Sequence, residues 1–398
     1  MRVAVVGAGL AGLAAADAIL AAGHEPVVLE ARGRVGGRVH SRTLDNGAVV
    51  EMGAEFILPG CTELRALADR LGLGLWDKGM RYGRREPRGV EVPPGALAAA
   101  VEAIGAALAG GAWEGRSVRE LLAALDVEPG AREAILARSE VSAAASADLI
   151  PAGELALLVR VGDLPAPGIA GGNQLLAEAL ADAVGRGRVR LGEPVRAIAT
   201  RGDGVVVGTD VGPVVADRCL IAVPATVIGT IRFEPALPDA IAAALAAIAY
   251  GHAAKLFVPL PAPVEPSATL AVPDRYWAWT ASGADGGASQ PLVSAFTGST
   301  AALERLGVDS GPGPWAERLA ALRPDLEIDP GRAVLSTWDD DEWARAAYSV
   351  APPAAAVAEL SRRHGRIAFA GEHLGGEMSA LMEGAIRSGQ AAAARLLG

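Results

Sequence analysis

A Gly-x-Gly-x-x-Gly motif near the N-terminus constrains the fold more than any other feature of this chain. Its glycines, Gly7, Gly9 and Gly12, follow an apolar stretch over 2–6 that is typical of a buried strand. An Ala- and Leu-rich stretch then predicts a helix, and residues 26–30 predict a second strand. This strand–turn–helix–strand order is the context in which the motif binds a dinucleotide. The sequence therefore predicts an α/β fold that begins with a Rossmann-type unit.

The three glycines have different roles in such a unit. Gly7 makes the tight turn, Gly9 lets the backbone approach a pyrophosphate, and Gly12 allows the helix to pack closely on the strand. The N–H groups of the first helical turn, which includes Leu10 and Ala11, are expected to face the phosphates. The alternative, an ordinary glycine-rich turn, does not account for the two flanking strands.

Composition and charge exclude several classes of protein. The chain has 398 residues, enough for about two domains, and 51% of them are hydrophobic, which excludes a disordered chain. Lysine and arginine number 36 against 46 aspartates and glutamates, and this net charge of −10 argues against nucleic-acid binding. The two cysteines, Cys61 and Cys219, have no metal-ligand spacing, so neither a metal site nor a disulfide framework is expected. No targeting or membrane-spanning segment is evident, so we expect a cytoplasmic protein that binds no membrane.

A second run of glycines and arginines follows directly after the second strand, at Glu30-Ala31-Arg32-Gly33-Arg34-Val35-Gly36-Gly37-Arg38. It starts with a carboxylate where an adenosine ribose would be bound, and its glycines allow a second close approach of the backbone. Its arginines place positive charge beside a diphosphate, although Arg34 is equally compatible with a surface position. On these residues the chain resembles the flavin-containing amine oxidases, a family that includes monoamine and polyamine oxidases.

The resemblance implies that FAD is the cofactor, and it assigns contacts with the nucleotide half of FAD. The whole run contacts FAD in that family, which makes Ala31 and Gly37 cofactor contacts here. Glu30 and Arg32 would lie near the adenosine ribose, and Arg38 at the pyrophosphate. Val195 would present backbone groups to adenine.

Residues 51–57 form a third element of the resemblance. Gly53 and Ala54 would pass against the flavin, where only small residues fit. Glu55 follows directly and has two possible roles. Its carboxylate could hold an ammonium group of the substrate, or it could bond FAD or a neighbouring backbone group.

The C-terminal block resembles the family most closely after the N-terminus. The resemblance places Gly371 and Glu372 at the ribityl-phosphate part of FAD, and the Met382 amide at the flavin ring. A helix that begins at Met382 would stabilise negative charge on the reduced flavin. The family commonly has a second aromatic residue of the substrate cage just before this helix, where this chain has Leu381.

Lys255 stands in an otherwise apolar predicted strand, where a lysine is costly to bury unless its charge is paired or solvated. By resemblance, Lys255 would hold a water molecule at the flavin and assist its reoxidation by O₂. The alternative is a lysine whose charged end reaches solvent from the end of a strand.

Trp338 and Tyr348 match a pair of aromatic residues in the family. Tyr348 would form one wall of the cage that orients the amine, and Trp338 would contribute to substrate binding. Monoamine oxidases carry a flavin-linked cysteine before this tyrosine, whereas this chain has Ala347, so FAD is expected to be non-covalent. The acidic run at 339–342 between them is expected to be a solvated turn.

We therefore expect a discontinuous FAD-binding domain, 1–75, 170–235 and 355–398, and a second, α+β substrate domain, 76–169 and 236–354. Of the 16 aromatic residues in the whole chain, ten lie between positions 235 and 350, in the second domain. Some of these ten are expected to line an apolar substrate cavity.

The expected reaction is oxidation of an amine to an imine, with hydride transfer to flavin N5 and reduction of O₂ to H₂O₂. Three alternatives stay open. They are a desaturase or protoporphyrinogen-oxidase-like enzyme that acts on C–C or ring C–N bonds, a redox-neutral flavin isomerase, and a non-catalytic FAD-binding subunit. The substrate itself and the oligomeric state do not follow from the sequence.

Overall fold

The computed structural model describes residues 1–156, 164–283 and 289–398. The last residues of the helical region predicted to reach about residue 160 lie outside these ranges. The strands are β1 (Arg2–Val6), β2 (Glu25–Glu30), β3 (Ser41–Thr43), β4 (Val49–Glu51), β5 (Leu75–Trp76), β6 (Glu86–Arg88), β7 (Gly168–Ile169), β8 (Val189–Leu191), β9 (Val195–Arg201), β10 (Gly204–Thr209), β11 (Pro213–Ala216), β12 (Arg218–Ile221), β13 (Arg232–Glu234), β14 (Ala253–Pro259), β15 (Ser267–Ala271), β16 (Tyr276–Thr280), β17 (Leu292–Gly298), β18 (Val334–Thr337) and β19 (Ile367–Phe369).

The α-helices of the described residues connect and cover these strands. They are α1 (Leu10–Ala21), α2 (Thr62–Arg70), α3 (Ala96–Ala109), α4 (Val118–Ala124), α5 (Pro129–Ala143), α6 (Gln174–Val184), α7 (Ala225–Ile228), α8 (Asp239–Ala246), α9 (Thr300–Leu306), α10 (Gly313–Leu322), α11 (Ala354–Leu360) and α12 (Met382–Leu397).

A five-stranded parallel sheet in the order β19-β12-β1-β2-β8 joins the two ends of the chain. Successive side chains of a strand point to opposite faces, and β1 buries both. Val3 and Val5 pack in a core with α1, α2, α6 and α12. Ala4 and Val6 pack on the other face, in a core with the sheet β11-β10-β9-β13 and helices α8 and α11. The predicted α/β fold with a parallel nucleotide-binding sheet is therefore confirmed.

A six-stranded sheet in the order β18-β14-β17-β16-β15-β6 forms the second part of the structure. Its strands pair antiparallel except β15 with β6. Leu256 of β14 packs in a core with α9 and α10, together with Ala254 and Val258. Lys255 lies between these residues and therefore faces the other side of the sheet, as the two-residue period of a strand requires.

Each strand of the parallel sheet falls in the segments predicted to bind FAD, and each strand of the six-stranded sheet falls in the segments predicted for the second domain. Among the described residues, no helix combines the length and the apolar character that a membrane crossing requires.

The first and last helices cross in direct contact. An atom at the Cβ position of Gly389, in α12, would lie 2.1 Å from the carbonyl oxygen of Ala11, in α1. Only glycine fits at this crossing, because the atom it would meet belongs to a helical backbone. The helix that follows the glycine motif thus packs directly on α12.

Glu383 links the same last helix to α2. Its fully buried carboxylate accepts hydrogen bonds from the backbone N–H groups of Glu63 (3.0 Å) and Leu64 (2.8 Å), and from Nε of Arg387 (2.6 Å). The residue that precedes α2, Cys61, makes no capping bond with its side chain. Glu383 therefore caps a helix that is more than 300 residues away in sequence.

We expect Glu383→Ala to lower the free energy of unfolding by about 2 kcal/mol, because it leaves two N–H groups of the α2 N-terminus without an acceptor. Denaturant unfolding followed by circular dichroism measures the change. Glu377→Ala is the control, because Glu377 is exposed, and it should change stability by less than about 0.5 kcal/mol. Equal stability of the two variants would contradict the capping role.

Candidate active site

One large cavity lies between the parallel sheet and the six-stranded sheet, and segments from both line it. Every residue predicted to bind the cofactor or substrate lines this cavity except Gly12. They are Gly7, Gly9, Leu10, Ala11, Glu30, Ala31, Arg32, Gly37, Arg38, Gly53, Ala54, Glu55, Val195, Lys255, Trp338, Tyr348, Gly371, Glu372, Leu381 and Met382.

Gly12 instead packs α1 against the turn. A Cβ atom at Gly12 would lie 1.9 Å from the carbonyl oxygen of Gly7. Gly7 has φ +100°, a conformation that glycine adopts without strain. The first and third glycines of the motif therefore set the shape of the turn, and Gly9 stands at the cavity.

The N-terminus of α1 is open to an anion. Its N-cap is Gly9, which has no side chain to bond the first N–H groups, and no acidic residue lies in the first turn. Gly9 forms a parallel β-bridge with Gly36, and the Gly36 N–H donates to the Ala8 carbonyl oxygen at 2.8 Å. The two glycine-rich segments thus meet at the positive end of a helix, and these residues fit the diphosphate of FAD.

Glu30 is held rigidly beside this helix end. Its carboxylate accepts from the backbone N–H groups of Ala8 (2.8 Å) and Arg32 (2.9 Å). The Arg32 guanidinium also donates to the Asp341 carboxylate. Part of the acidic run expected to be a solvated turn is therefore tied to the nucleotide end of the cavity, because the fold brings residues 32 and 341 together. Arg34 does not line the cavity and donates to the Val35 carbonyl oxygen.

Arg38 and Glu372 form the central polar contact of the cavity wall. Arg38 Nη1 donates to Glu372 Oε1 at 3.1 Å and to the Ala347 carbonyl oxygen at 2.5 Å. The Glu372 carboxylate also accepts from Ser349 Oγ (2.6 Å) and from the Ala380 N–H (2.9 Å). Burial alone would raise the pKa of Glu372, but Arg38 and these bonds lower it below its usual range. The ionised carboxylate thus joins three segments of the wall.

Glu55 has partners that neither sequence-based alternative named. Its carboxylate accepts from Lys255 Nζ at 2.5 Å on one oxygen and from Lys78 Nζ at 3.1 Å on the other. Burial would raise the pKa of Glu55, but the two lysines together lower it, so the group is ionised. Both carboxylate oxygens are therefore already bonded to cations of the protein itself.

Lys255 is 5% exposed and lines the cavity from β14, the second strand of the six-stranded sheet. Besides Glu55, its Nζ donates to the Gly53 carbonyl oxygen at 3.1 Å. An ammonium group has three N–H donors, so one is left for a molecule in the cavity.

The Gly53 segment passes very close to the backbone of Arg38. A Cβ atom at Gly53 would lie 1.9 Å from the Arg38 carbonyl oxygen, so the backbone contact by itself requires glycine here. Trp338 Nε1 and Ser336 Oγ both donate to the neighbouring Met52 carbonyl oxygen, at 3.1 and 2.8 Å. Trp338 therefore fixes this segment from the side of the six-stranded sheet.

Tyr348 and the start of α12 form another part of the wall. The Tyr348 hydroxyl donates to the Ser142 carbonyl oxygen at 2.8 Å, and burial raises the pKa of this phenol, so it stays neutral. Helix α12 begins at Met382, and Leu381, at its N-cap, makes no capping bond with its side chain. The N-terminal N–H groups of α12 are therefore open toward the cavity that Met382 lines.

An aromatic cluster closes the end of the cavity away from the α1 N-terminus. The sequence predicted only a part of this cluster. The rings of Trp277 and Trp279 stack with centroids 4.2 Å apart, and Phe56 lies 5.1 Å from Tyr82. Trp277 and Trp279 belong to the aromatic residues after position 235, some of which were expected to line an apolar cavity, and both line it. Phe56, Tyr82, Arg85 and Ser142, which also line the cavity, were missed. Arg85 belongs to an arginine-rich segment, 81–88, a pattern that usually indicates a solvated loop.

No cluster of three or more potential metal ligands occurs in residues 1–156, 164–283 and 289–398. The donors of this cavity are backbone N–H groups, Lys255 and arginines, which suit an anionic organic cofactor.

Comparisons with known proteins agree with this arrangement. The family described as flavin containing amine oxidoreductase matches residues 10–397. Putrescine oxidase from Kocuria rosea is 32% identical over 291 residues, which are 59% of this chain and 59% of that relative, less than two thirds of its length. The structure of putrescine oxidase bound to putrescine has a TM-score of 0.84 at 24% identity and covers 100% of this chain and 99% of its own.

Cyclohexylamine oxidase from Brevibacterium oxydans has a TM-score of 0.84 at 22% identity, over 99% of this chain and 98% of its own. At these identities the two structures establish a shared fold, in agreement with the sheet order described above.

Proposed function

The chain belongs to the flavin-containing amine oxidoreductase family and is an FAD-dependent oxidoreductase, and on that premise we propose that it oxidises an amine to an imine with O₂ as the electron acceptor. FAD, when bound, accepts a hydride from the carbon next to the nitrogen and passes both electrons to O₂, which yields H₂O₂. Water then hydrolyses the imine to a carbonyl compound.

The observation that carries the proposal is the single cavity that joins the N-terminal nucleotide motif to Lys255 and the aromatic cluster. A dinucleotide held at the α1 N-terminus has one continuous space in which to extend toward this lysine. In the proposal, Glu30 binds the adenosine ribose, Val195 contacts adenine, and the backbone at Gly9 and Gly37 holds the diphosphate.

We assign Lys255 the role of holding a water molecule in the cavity. Its bonds to Glu55 and Gly53 fix the ammonium group in place and leave one N–H donor for that water. Glu55 supplies the counter-charge to this buried lysine. This role for Glu55 replaces the substrate-ammonium contact, because two buried lysines already pair with its negative charge.

The amine is oxidised as the neutral base. No unpaired carboxylate lines the cavity among the described residues, since Glu30, Glu55 and Glu372 all accept hydrogen bonds from protein donors. Tyr348 is proposed as one wall that orients the amine, and Leu381 as an apolar contact where relatives carry an aromatic residue.

FAD is proposed to be bound without a covalent link. Ala347 offers no nucleophile beside Tyr348, and neither Cys61 nor Cys219 lines the cavity. Both thiols are buried, which raises their pKa values, to about 11 for Cys61 and about 12 for Cys219, and keeps them unreactive.

The test is to mix the oxidised holoenzyme anaerobically with a panel of primary and secondary amines and to follow the visible flavin absorbance. We expect at least one amine to bleach the flavin and, once air is admitted, an equivalent amount of H₂O₂ to form. Bleaching by a cyclic or olefinic substrate but by no amine would indicate the desaturase alternative. Conversion of a substrate without bleaching or peroxide would indicate an isomerase, and absence of any turnover would indicate a non-catalytic subunit.

A further inference from the structure

Arg85 lies at the aromatic end of the cavity and is 7% exposed. Its guanidinium stands 4.0 Å from the ring centre of Trp277 and 4.7 Å from that of Tyr82. The residue immediately precedes β6, so the edge of the six-stranded sheet fixes the position of its backbone.

The Arg85 charge lacks the partner that the other charged groups of the cavity have. Within the described part of the chain, Arg32, Arg38 and Lys255 each pair with a carboxylate. No carboxylate of the described residues forms an ion pair with Arg85. Its Nε makes one long hydrogen bond, 3.4 Å, to the Tyr82 carbonyl oxygen, and its buried Nη1 has no hydrogen-bond partner.

A second arginine adds to the positive charge at this end. Arg138, on α5, donates from Nη1 to the Gly83 carbonyl oxygen at 2.7 Å, and its buried Nε also has no partner. Burial, and then the nearby Arg85 charge, lower the pKa of Arg138 to about 10. The guanidinium groups of Arg85 and Arg138 are thus close enough to interact. Arg85 lines the cavity, where an anion can reach it.

A buried guanidinium without a counter-charge has lost its hydrogen bonds to water and has gained no ion pair to compensate for them. Aromatic faces compensate only a part of this loss. A carboxylate would supply the missing acceptor in the paired geometry that guanidinium groups favour, and the surrounding aromatic rings would hold an apolar portion of the same ligand.

We propose that Arg85 binds a carboxylate of the substrate, so that the enzyme oxidises amines that also carry an acidic group. This inference rests on the proposed amine oxidation and specifies its substrate class. A diamine fits the same cavity poorly, because its second ammonium group would approach Arg85 and Arg138 without an acidic partner among the described residues.

The test uses two ligands of nearly equal size. Benzoate carries a negative charge, and benzamide is uncharged. Isothermal titration calorimetry of the oxidised holoenzyme measures their affinities without turnover. We expect benzoate to bind at least tenfold more tightly than benzamide. Arg85→Met should weaken benzoate binding at least tenfold and leave benzamide binding within about twofold. Arg81→Met is the matched control, because Arg81 pairs with Asp77, does not line the cavity, and should leave both affinities unchanged.

Benzoate that binds no more tightly than benzamide would overturn the inference, and so would an Arg85→Met variant with unchanged benzoate affinity. If Arg85→Met does not retain FAD, the two affinities are measured in Arg85→Lys instead. This substitution keeps the positive charge but loses the paired hydrogen bonds that a guanidinium offers a carboxylate. Weakening of benzoate alone by at least threefold supports the inference, and unchanged affinity overturns it. Benzoate binding does not depend on amine oxidation, so a chain that oxidises no amine but binds benzoate through Arg85 would refute only the proposed reaction.

Discussion

Replacement of Gly389 by alanine is expected to remove most of the bound FAD. The new methyl group would lie 2.1 Å from the Ala11 carbonyl oxygen, and neither helix backbone can yield locally. Helices α1 and α12 would have to separate, and both begin at the cavity, at Leu10 and Met382. Overpacking of this kind costs about 1–3 kcal/mol, so FAD binding should weaken about tenfold to hundredfold.

The measurement is the ratio of flavin to protein absorbance after gel filtration, followed by titration of the apoprotein with FAD. Gly105→Ala provides the control. Gly105 lies inside α3, and a Cβ atom there would meet no other atom within 4 Å. That variant should retain FAD and gain about 0.5–1 kcal/mol of stability, because alanine favours the helix. Normal FAD content in Gly389→Ala would show that the helices can move apart without disturbing the site.

Lys255→Met is expected to slow reoxidation of the reduced enzyme by O₂ about 100-fold, the loss typical of removing one preorganised electrostatic group. Reduction by substrate should change much less, because the proposed water-holding role acts on the oxygen reaction. The side chain is 5% exposed and fixed by Glu55 and Gly53, so its loss leaves an apolar position on the cavity wall. Stopped-flow measurement of the two half-reactions separates these effects.

Lys78→Met controls for the loss of charge beside Glu55. Lys78 pairs with the other oxygen of the same carboxylate but does not line the cavity. Reoxidation in this variant should stay within about threefold of the wild type, because the cation that faces the cavity is retained. Equal slowing of both half-reactions in Lys255→Met, or equal slowing in the two variants, would remove Lys255 from the proposed role.

The nucleotide half of the site could be predicted because its signals are local in sequence. The turn at Gly7, the helix start at Gly9 and the carboxylate at Glu30 follow one another within one strand–helix–strand unit, and each has a backbone reason. Lys255 could be found because a charged residue interrupts an apolar strand of fixed period.

The partners of these residues could not be predicted, because they come from distant segments. Nothing near Glu55 indicates that it would meet Lys255, 200 residues away, and the segment at Arg85 has the composition of a solvated loop. Asp341 was expected to be exposed, yet it bonds Arg32 once the chain has folded. The packing of the two sheets decides which charged side chains meet as ion pairs.

The seating of α1 against α12 has a consequence for biosynthesis. Strand β19 and helix α12 pack against β12 and α1, and α1 is translated long before them. Until both have been made, β12 lacks one neighbour in the parallel sheet, and α1 lacks the helix that packs on it. The cavity is therefore incomplete until α12 has folded against α1, since Met382 at the start of α12 forms part of its wall.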